Sequence, residues 1–577
     1  MTPSQKDVVA TVPESRTPEK VSAPPAAVPA GPGEADAARA GRRSARRLLA
    51  AVAVVLAVAL LFLAYLRVSR TYPENSDESN DLLMAWDMLH GNVLLHGWYL
   101  SDVSFITTEL PQYALLVGLF GLHSDTAHIA AAMTYTLVLV LAVLLARGTA
   151  SRREAGPRML LTAGLMFAPQ LGVGVFVLLL SLGHIGSAVP LMLTWLVIDR
   201  CPARWYVPAA VGLLLTWVLI ADPLVLLVGV VPLVAVCGLR VARAMFVERH
   251  SLRAHWFELS LAAAAIIAQG LASAAGRLLR ASGAFFLHPV PYQLAPVHTW
   301  PKHAWVTGKG LLALFGAKPE GPPAALAFAL LHLAGVALVV WAVLRVARRF
   351  LSWPDMIGQI LLVAMVVNVV AYVPSTLANA TDLNAREFAV VLPFGAVLAG
   401  RTLAVSLRGS KEGGRARGNG GREPPVRGRG GWGVRPALLA AVVGYVVSLG
   451  WAAAQPSVPP MNARLATFLE AHHLTSGIGG YWESSAVTVG SDGAVTIRAV
   501  LPGTLQPDLW EAKSSWYDPG PHRANFLVTS STPGFFNHWQ PSQAALAALG
   551  RPATTYHVGP YTVYVYDKNL LAGLARR

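Results

Sequence analysis

The sequence predicts a mainly α-helical, polytopic membrane protein of about eleven transmembrane helices, with a small α+β domain at its C-terminus. Three observations predict it. Of 577 residues, 54% are hydrophobic and 13% are charged, where a soluble domain carries roughly 25% charged residues. Apolar runs of about 18 or more residues recur along the chain, each long enough to cross a bilayer core. Every predicted inner connection between these runs is basic, as the positive-inside rule requires.

Residues 1–46 are rich in Pro, Ala, Glu and Gly without apolar periodicity, which predicts a disordered cytoplasmic segment. Arg42, Arg43, Arg46 and Arg47 then precede the apolar run 48–66. That run starts too late and is too long for a signal peptide, so it reads as the first membrane helix. The transmembrane domain, 47–453, continues with spans at 127–146, 159–181, 185–199, 206–221, 223–239, 257–276, 323–344, 355–374, 387–405 and 436–453. The predicted cytoplasmic loops carry Arg147, Arg152, Arg153 and Arg158, then Arg200 and Arg204, then Arg240, Arg243, Arg249 and Arg253, then Arg345, Arg348 and Arg349. The loop 406–435 is Gly/Arg-rich, basic and flexible by composition. These basic loops put the N-terminus in the cytoplasm, and an odd number of spans then leaves the C-terminal domain on the outer side of the cell membrane.

Three outer segments are large: 67–126, 277–322 and the tail 455–577. The tail is long enough for its own α+β domain. Residues 462–473 read as a helix and 525–528 as a strand. Hairpins are expected at 486–500, around Gly490-Ser491-Asp492-Gly493, and at 554–566, around Gly559-Pro560. A short helix over 568–575 closes the chain.

The first outer segment is strongly acidic: Glu74, Asp77, Glu78, Asp81, Asp87, Asp102, Glu109 and Asp125 face only Arg67 and Arg70. Ser76 or Asp77 can cap a helix that Gly91 ends. Its apolar stripe, Leu82, Leu83, Trp86 and Leu89, suits the membrane surface. Asp77 and Asp81 stand one turn apart, and like charges so close raise at least one pKa unless a cation lies between them. Such a pair suits a general base, or could hold a divalent cation; a solvated helix cap without chemistry has the same spacing. Glu109, in Thr107-Thr108-Glu109-Leu110-Pro111-Gln112-Tyr113, opens a second short apolar helix, where the dipole favours its charge.

The formal net charge of +15 is spread over loops that flank apolar runs, which points to membrane lipid as partner and away from nucleic acid. Two cysteines, Cys201 and Cys237, lie in a basic loop and an apolar run, so neither a disulfide framework nor a four-Cys zinc site is expected. His184, in Gly183-His184-Ile185-Gly186-Ser187, and Asp222-Pro223 mark two outer turns. Trp482, Trp510 and Trp516 could stack on sugar or pack in a core.

The layout resembles the GT-C superfamily of membrane glycosyltransferases, which includes protein O-mannosyltransferases, aminoarabinose transferases of lipid A and oligosaccharyltransferase subunits. In these, a first membrane helix leads into a long outer loop with a surface helix and an acidic motif, here Asp77-Glu78; many helices and an outer C-terminal domain follow. The stretch Gly477-Ile478-Gly479-Gly480-Tyr481-Trp482 resembles actinobacterial multi-pass membrane proteins of this type. The Trp-Trp-Asp motif of oligosaccharyltransferases is absent.

The resemblance implies a polyprenyl-phosphate sugar donor and inverting transfer to a glycan, lipid or protein acceptor of the cell envelope. It also implies Asp77 as the base, with Glu78 as the alternative, and Asp81 and Glu109 as nearby substrate-binding carboxylates. A lipid phosphate leaving group needs cations; Arg386, in Asn384-Ala385-Arg386-Glu387-Phe388, resembles the family's arginine at the start of a late helix. Arg277, Arg280, Lys302 and His303 are further candidates, or interfacial anchors. A transporter or flippase of an envelope lipid, or a non-catalytic assembly protein of the same fold, would share this layout.

Overall fold

The structure is a computed structural model, and it describes residues 32–169, 171–180, 183–289, 293–378, 381–412, 434–531 and 538–574. The expected disorder of 1–31 and most of the expected basic loop, 413–433, lie outside the described residues. The chain forms two compact units, Met1–Ala57 and Val58–Arg577. The first holds only the start of helix α1, Pro32–Ser69. Residues 32–46 are therefore helical rather than disordered. Pro32 suits a first helical position, and the alanines behind it have the highest helix propensity.

All other elements belong to the second unit. Helices α2 (Ser76–Leu89) and α3 (Glu109–Phe120) lie within the first predicted outer segment, with strand β1 (Trp98–Leu100) between them. Then come α4 (Ser124–Arg147), α5 (Arg152–Met166), α6 (Val173–Leu179), α7 (Ala188–Arg200), α8 (Tyr206–Ala221), α9 (Val231–Phe246, entered through a π-turn) and α10 (Trp256–Ala281). Strand β2 (Phe286–Leu287) and helices α11 (Trp300–Leu314), α12 (Pro323–Arg348), α13 (Met356–Tyr372), α14 (Val391–Glu412) and α15 (Val434–Ala453) follow.

Every predicted span falls on a helix, with one correction. The span 159–181 is two helices, α5 and α6, because Pro169 disfavours helix at Ala168 and Gly172 takes a left-handed φ of 78°. Among the described residues five helices are long and apolar enough to cross a membrane. A sixth counts if the 3₁₀ turn Asp382–Phe388 and Val391–Leu403, bent by 59°, are one span; Tyr206–Ala221, Met356–Tyr372 and Leu439–Ala453 are shorter apolar helices.

The helical core is pinned by polar groups at helix ends. The hydroxyls of Tyr65 and Tyr135 both donate to the Met166 carbonyl, at 3.4 and 2.7 Å, where α5 has run out of amide donors. Arg401 of α14 is buried and binds Asp355 through two nitrogens, at 2.8 and 2.9 Å, and Asp199 at 2.8 Å, while a third nitrogen donates to the Leu145 carbonyl at 2.6 Å. One guanidinium thus ties α4, α7, α13 and α14 together. Replacing it with Met strands two carboxylates, and breaking such a buried pair costs about 3–5 kcal/mol. Arg401→Met is expected to lower unfolding midpoints in detergent by that order, and adding Asp199→Asn and Asp355→Asn is expected to recover most of it.

The C-terminal unit contains α16 (Ala463–Ala471), β3 (Ser476–Gly479), α17 (Tyr481–Gly490), β4 (Thr496–Ala499), β5 (Ala512–Lys513), β6 (Phe526–Ser531), β7 (His538–Trp539), α18 (Gln543–Leu549), β8 (Thr554–Val558) and β9 (Tyr561–Val565). Five strands form a mixed sheet in the order β4-β3-β6-β9-β8, with β7 beside β6. The hairpin expected at 554–566 is present, with Gly559 at a φ of 57°. The hairpin expected at 486–500 is not. Residues 481–490 form α17, and β4 runs parallel to β3, which makes a compact β-α-β unit. Gly490-Ser491-Asp492-Gly493 ends a helix there instead of joining two strands; the turn chemistry is the same for both.

Three segments distant in sequence meet in a second sheet, β2-β1-β5. β1 pairs with β2 in parallel and with β5 antiparallel. The three predicted outer segments thus share one structure.

Candidate functional site: an acidic cavity between the first loop and the C-terminal unit

Helix α2 is built as a cap followed by a buried face. Asn75 is the N-cap, one residue before the expected Ser76 or Asp77, and its side chain accepts from the Asp77 amide at 2.8 Å. Glu78 completes a capping box by accepting from the Asn75 amide at 2.9 Å. Glu78 is thereby turned into the helix start and away from Asp77's open side. Leu82 and Leu83 are buried, whereas Trp86 and Leu89 are exposed. The buried side meets α17: Ser76 Oγ donates to the Tyr481 carbonyl at 2.7 Å, and Ser485 Oγ donates to Asn80 Oδ1.

This packing forms a cavity of about 280 Å³. Asp77, Asp81 and Asp102 come from the first loop, His184 from the α6–α7 turn, Arg386 and Glu387 from the 3₁₀ turn before α14, and Tyr481, Trp482, Trp510 and Glu511 from the C-terminal unit. Asp77 is its centre. Its Oδ1 accepts from the Tyr481 hydroxyl at 2.8 Å, and its Oδ2 faces Arg386 Nη1 at 3.5 Å. Tyr481 also reaches Glu511 Oε2 at 2.6 Å.

Charges of alternating sign run back from Asp77. Arg386 Nε stands 3.8 Å from Glu387 Oε1, His184 Nε2 3.2 Å from Glu387 Oε2, and His184 Nδ1 2.8 Å from Asp222 Oδ2. Burial opposes the charge on His184, but Asp222 and Glu387 outweigh it and hold the imidazole protonated. The two glycines of the His184 turn make room for this ladder. A Cβ at Gly183 would collide with Arg386, and one at Gly186 with the Glu109 carboxyl.

Of the residues singled out in the sequence, the structure brings Asp77, Asp81 and Arg386 together. Glu109 lies behind the cavity against Gly186, and Glu78 serves the helix cap. Arg277, Arg280 and Lys302 are exposed and do not line the cavity. His303 is buried with Nδ1 3.1 Å from the Val373 carbonyl, a packing role. Glu511 carries no signal in the sequence, and Tyr481 stands out only as part of the stretch Gly477-Ile478-Gly479-Gly480-Tyr481-Trp482; no spacing rule links either to Asp77. Asp87, another of the loop's acids, is neutralised by Lys513 at 2.9 Å and accepts from the Trp98 indole at 2.7 Å.

Burial pushes several carboxyls up: Glu74, Glu109 and Glu483 each to about 7. Below the ordinary carboxyl value of 4.5 the folded and unfolded chains both hold these protons. Between about 4.5 and 7 the folded chain keeps protons that the unfolded chain has lost, so stability falls as pH rises through that window. Thermal unfolding in detergent is expected at a lower temperature at pH 8 than at pH 5, and Glu483→Gln is expected to flatten that dependence.

Among the described residues no group of three or more His, Cys, Asp or Glu is arranged to hold a metal ion. The donor set at Asp77 does not fit a divalent cation, because both its oxygens face hydrogen-bond donors.

Among solved structures, the chain is similar to ArnT from Cupriavidus metallidurans, an aminoarabinose transferase, in the apo state, at 14% identity and a TM-score of 0.53, covering 92% of this chain and 100% of ArnT. The same ArnT bound to undecaprenyl phosphate gives 13% and 0.48, covering 91% and 99%. The oligosaccharyltransferase of Archaeoglobus fulgidus gives 13% and 0.48, covering 83% of this chain and 69% of that one. These neighbours are GT-C-fold membrane glycosyltransferases, and at these identities the likeness is one of fold. No protein-family model and no curated protein sequence matches the chain.

Proposed function

We propose that this protein is an inverting membrane glycosyltransferase that moves a sugar from a polyprenyl-phosphate donor to a cell-envelope acceptor. The observation that carries the reading is the pairing of Asp77 with Arg386 in one cavity. Asp77 takes the proton of the acceptor hydroxyl as its oxygen attacks the anomeric carbon. The bond from that carbon to the phosphate oxygen breaks, and the polyprenyl phosphate leaves with the bonding electrons. Arg386 turns from Asp77 to the departing phosphate, whose growing charge it stabilises. Trp482 and Trp510 offer apolar faces for the sugar ring.

In this reading the chain crosses the membrane about eleven times, with a cytoplasmic N-terminus and the C-terminal unit outside. The shared β2-β1-β5 sheet supports it, since it unites the three segments that charge patterning puts on one side. The test is to supply full-length protein in lipid nanodiscs with radiolabelled undecaprenyl-phosphate-linked pentoses and hexoses and a cell-envelope extract as acceptor. Asp77-dependent release of undecaprenyl phosphate is expected, and no release across the panel by the wild-type chain would remove the reading.

A further inference from the structure

We propose that Tyr481 and Glu511 form a positioning relay, supplied by the C-terminal unit, that holds a proton beside Asp77 and sets the pH range in which Asp77 acts. The inference rests on the reading of Asp77 as the base. The Tyr481 hydroxyl lies 2.8 Å from Asp77 Oδ1 and 2.6 Å from Glu511 Oε2, and Asn80 Nδ2 donates to the same hydroxyl at 3.1 Å. At these distances both carboxyl contacts are hydrogen bonds. A phenol has one proton, so it donates to one carboxyl and accepts from the other. One of the two carboxyls must therefore carry a proton of its own.

The surroundings assign that proton to Glu511. The second oxygen of Asp77 faces the Arg386 guanidinium at 3.5 Å, which favours negative charge there. The hydrogen-bond partners of Glu511 are neutral groups, Tyr481 and Asn80 Nδ2, the latter at 3.4 Å, and the attraction of Arg386 offsets its burial only in part. Other charged or titratable groups around the relay are Glu78 and Asp81 of α2, Glu109 of α3, Asp102 of the first loop, and Glu387 and His184 behind Arg386. Most are carboxyls, and they oppose a further negative charge. Removal from solvent and the facing Asp77 push the Glu511 carboxyl up to about 8. Burial likewise holds the Tyr481 phenol well above its usual value, so it keeps its proton.

The order is thus Glu511 O–H to Tyr481, and Tyr481 O–H to Asp77 Oδ1. The bond fixes the Asp77 rotamer and leaves Oδ2 as the atom that accepts the proton from substrate. When Glu511 ionises, the single phenol proton turns toward it and Asp77 loses its orienting donor.

Full-length protein in nanodiscs is examined by infrared spectroscopy across pH, and by release of undecaprenyl phosphate from the labelled donors. The relay predicts, in the difference spectrum of wild type minus Glu511→Gln, a protonated-carboxyl band that titrates near pH 8, apart from the Glu74, Glu109 and Glu483 carboxyls that are common to both proteins. Wild-type turnover should fall above pH 8 along a one-proton limb that Glu511→Gln removes, while its neutral-pH rate drops about fivefold because an amide is a weaker donor. Tyr481→Phe should lower kcat about tenfold with KM within about twofold. Absence of the band from that difference spectrum overturns the relay whatever the activity. A band with no turnover by the wild type refutes the glycosyltransferase reading and leaves the proton on Glu511 established. A band with turnover but an unmoved pH profile in Glu511→Gln and wild-type kinetics in Tyr481→Phe overturns the positioning role.

Discussion

Asp77→Asn is expected to slow release of undecaprenyl phosphate from a cognate donor by a factor of roughly 10²–10⁴, while the protein stays folded and reaches the membrane at normal levels. The size follows from what is removed. Asn keeps the shape and an oxygen for the Tyr481 hydroxyl, but its amide cannot take a proton. It also turns N–H toward Arg386, so the cation loses its carboxylate partner at 3.5 Å. Rate measurements with single donors, beside quantified membrane levels and a thermal scan, check this. A loss of the same size with an unchanged thermal scan identifies chemistry; unchanged turnover takes Asp77 out of the reaction. Glu78→Gln gives the contrast. Its carboxylate caps α2 through the Asn75 amide, so the expected effect is a modest fall in stability of about 0.5–2 kcal/mol with turnover largely kept.

Arg386→Gln is expected to cost roughly 10²–10³ in turnover, the range for removing one fixed charge that stabilises a leaving group. Arg386 stands between Asp77 and Glu387, so its loss also leaves two carboxylates without a cation between them. Arg386→Lys separates the two contributions. It restores charge without the two-pronged geometry that a phosphate accepts, and so should recover part of the rate. Undecaprenyl phosphate without sugar, tested as an inhibitor, should bind Arg386→Gln at least about tenfold more weakly. Equal inhibition of the variant and the wild type would assign Arg386 to structure alone.

The parts of this molecule legible in the sequence are those governed by local rules. Apolar length located the helices, and one acidic motif after the first of them singled out Asp77, which lines the cavity. The 159–181 span was misjudged because hydropathy averages over Pro169 and Gly172, which break the helix without lowering its apolar character. The 486–500 region was read as a hairpin because Val487 and Val489 suit a strand; packing of α17 on α2, with Val489 in the same apolar cluster as Leu82, decided otherwise. Arg277 and Arg280 are cationic at a predicted span end and Lys302 in the outer loop that follows, and exposure at the protein's surface explains those positions equally well. The pairing of Glu511 and Tyr481 with Asp77 was beyond reach. Their importance comes from facing Asp77, and that contact is made across 404 residues for Tyr481.

The three-stranded β2-β1-β5 sheet also fixes when this protein becomes competent during its own synthesis. Its strands are contributed near residues 99, 286 and 512, and the last arrives only when most of the chain has left the ribosome. A nascent chain that has inserted α1 to α14 already carries Asp77, Asp81 and Arg386, but the wall holding Tyr481, Trp510 and Glu511 does not yet exist. The cavity is therefore completed only by the last part of the chain to be made, and a chain truncated before residue 476 lacks the wall that Tyr481, Trp510 and Glu511 supply.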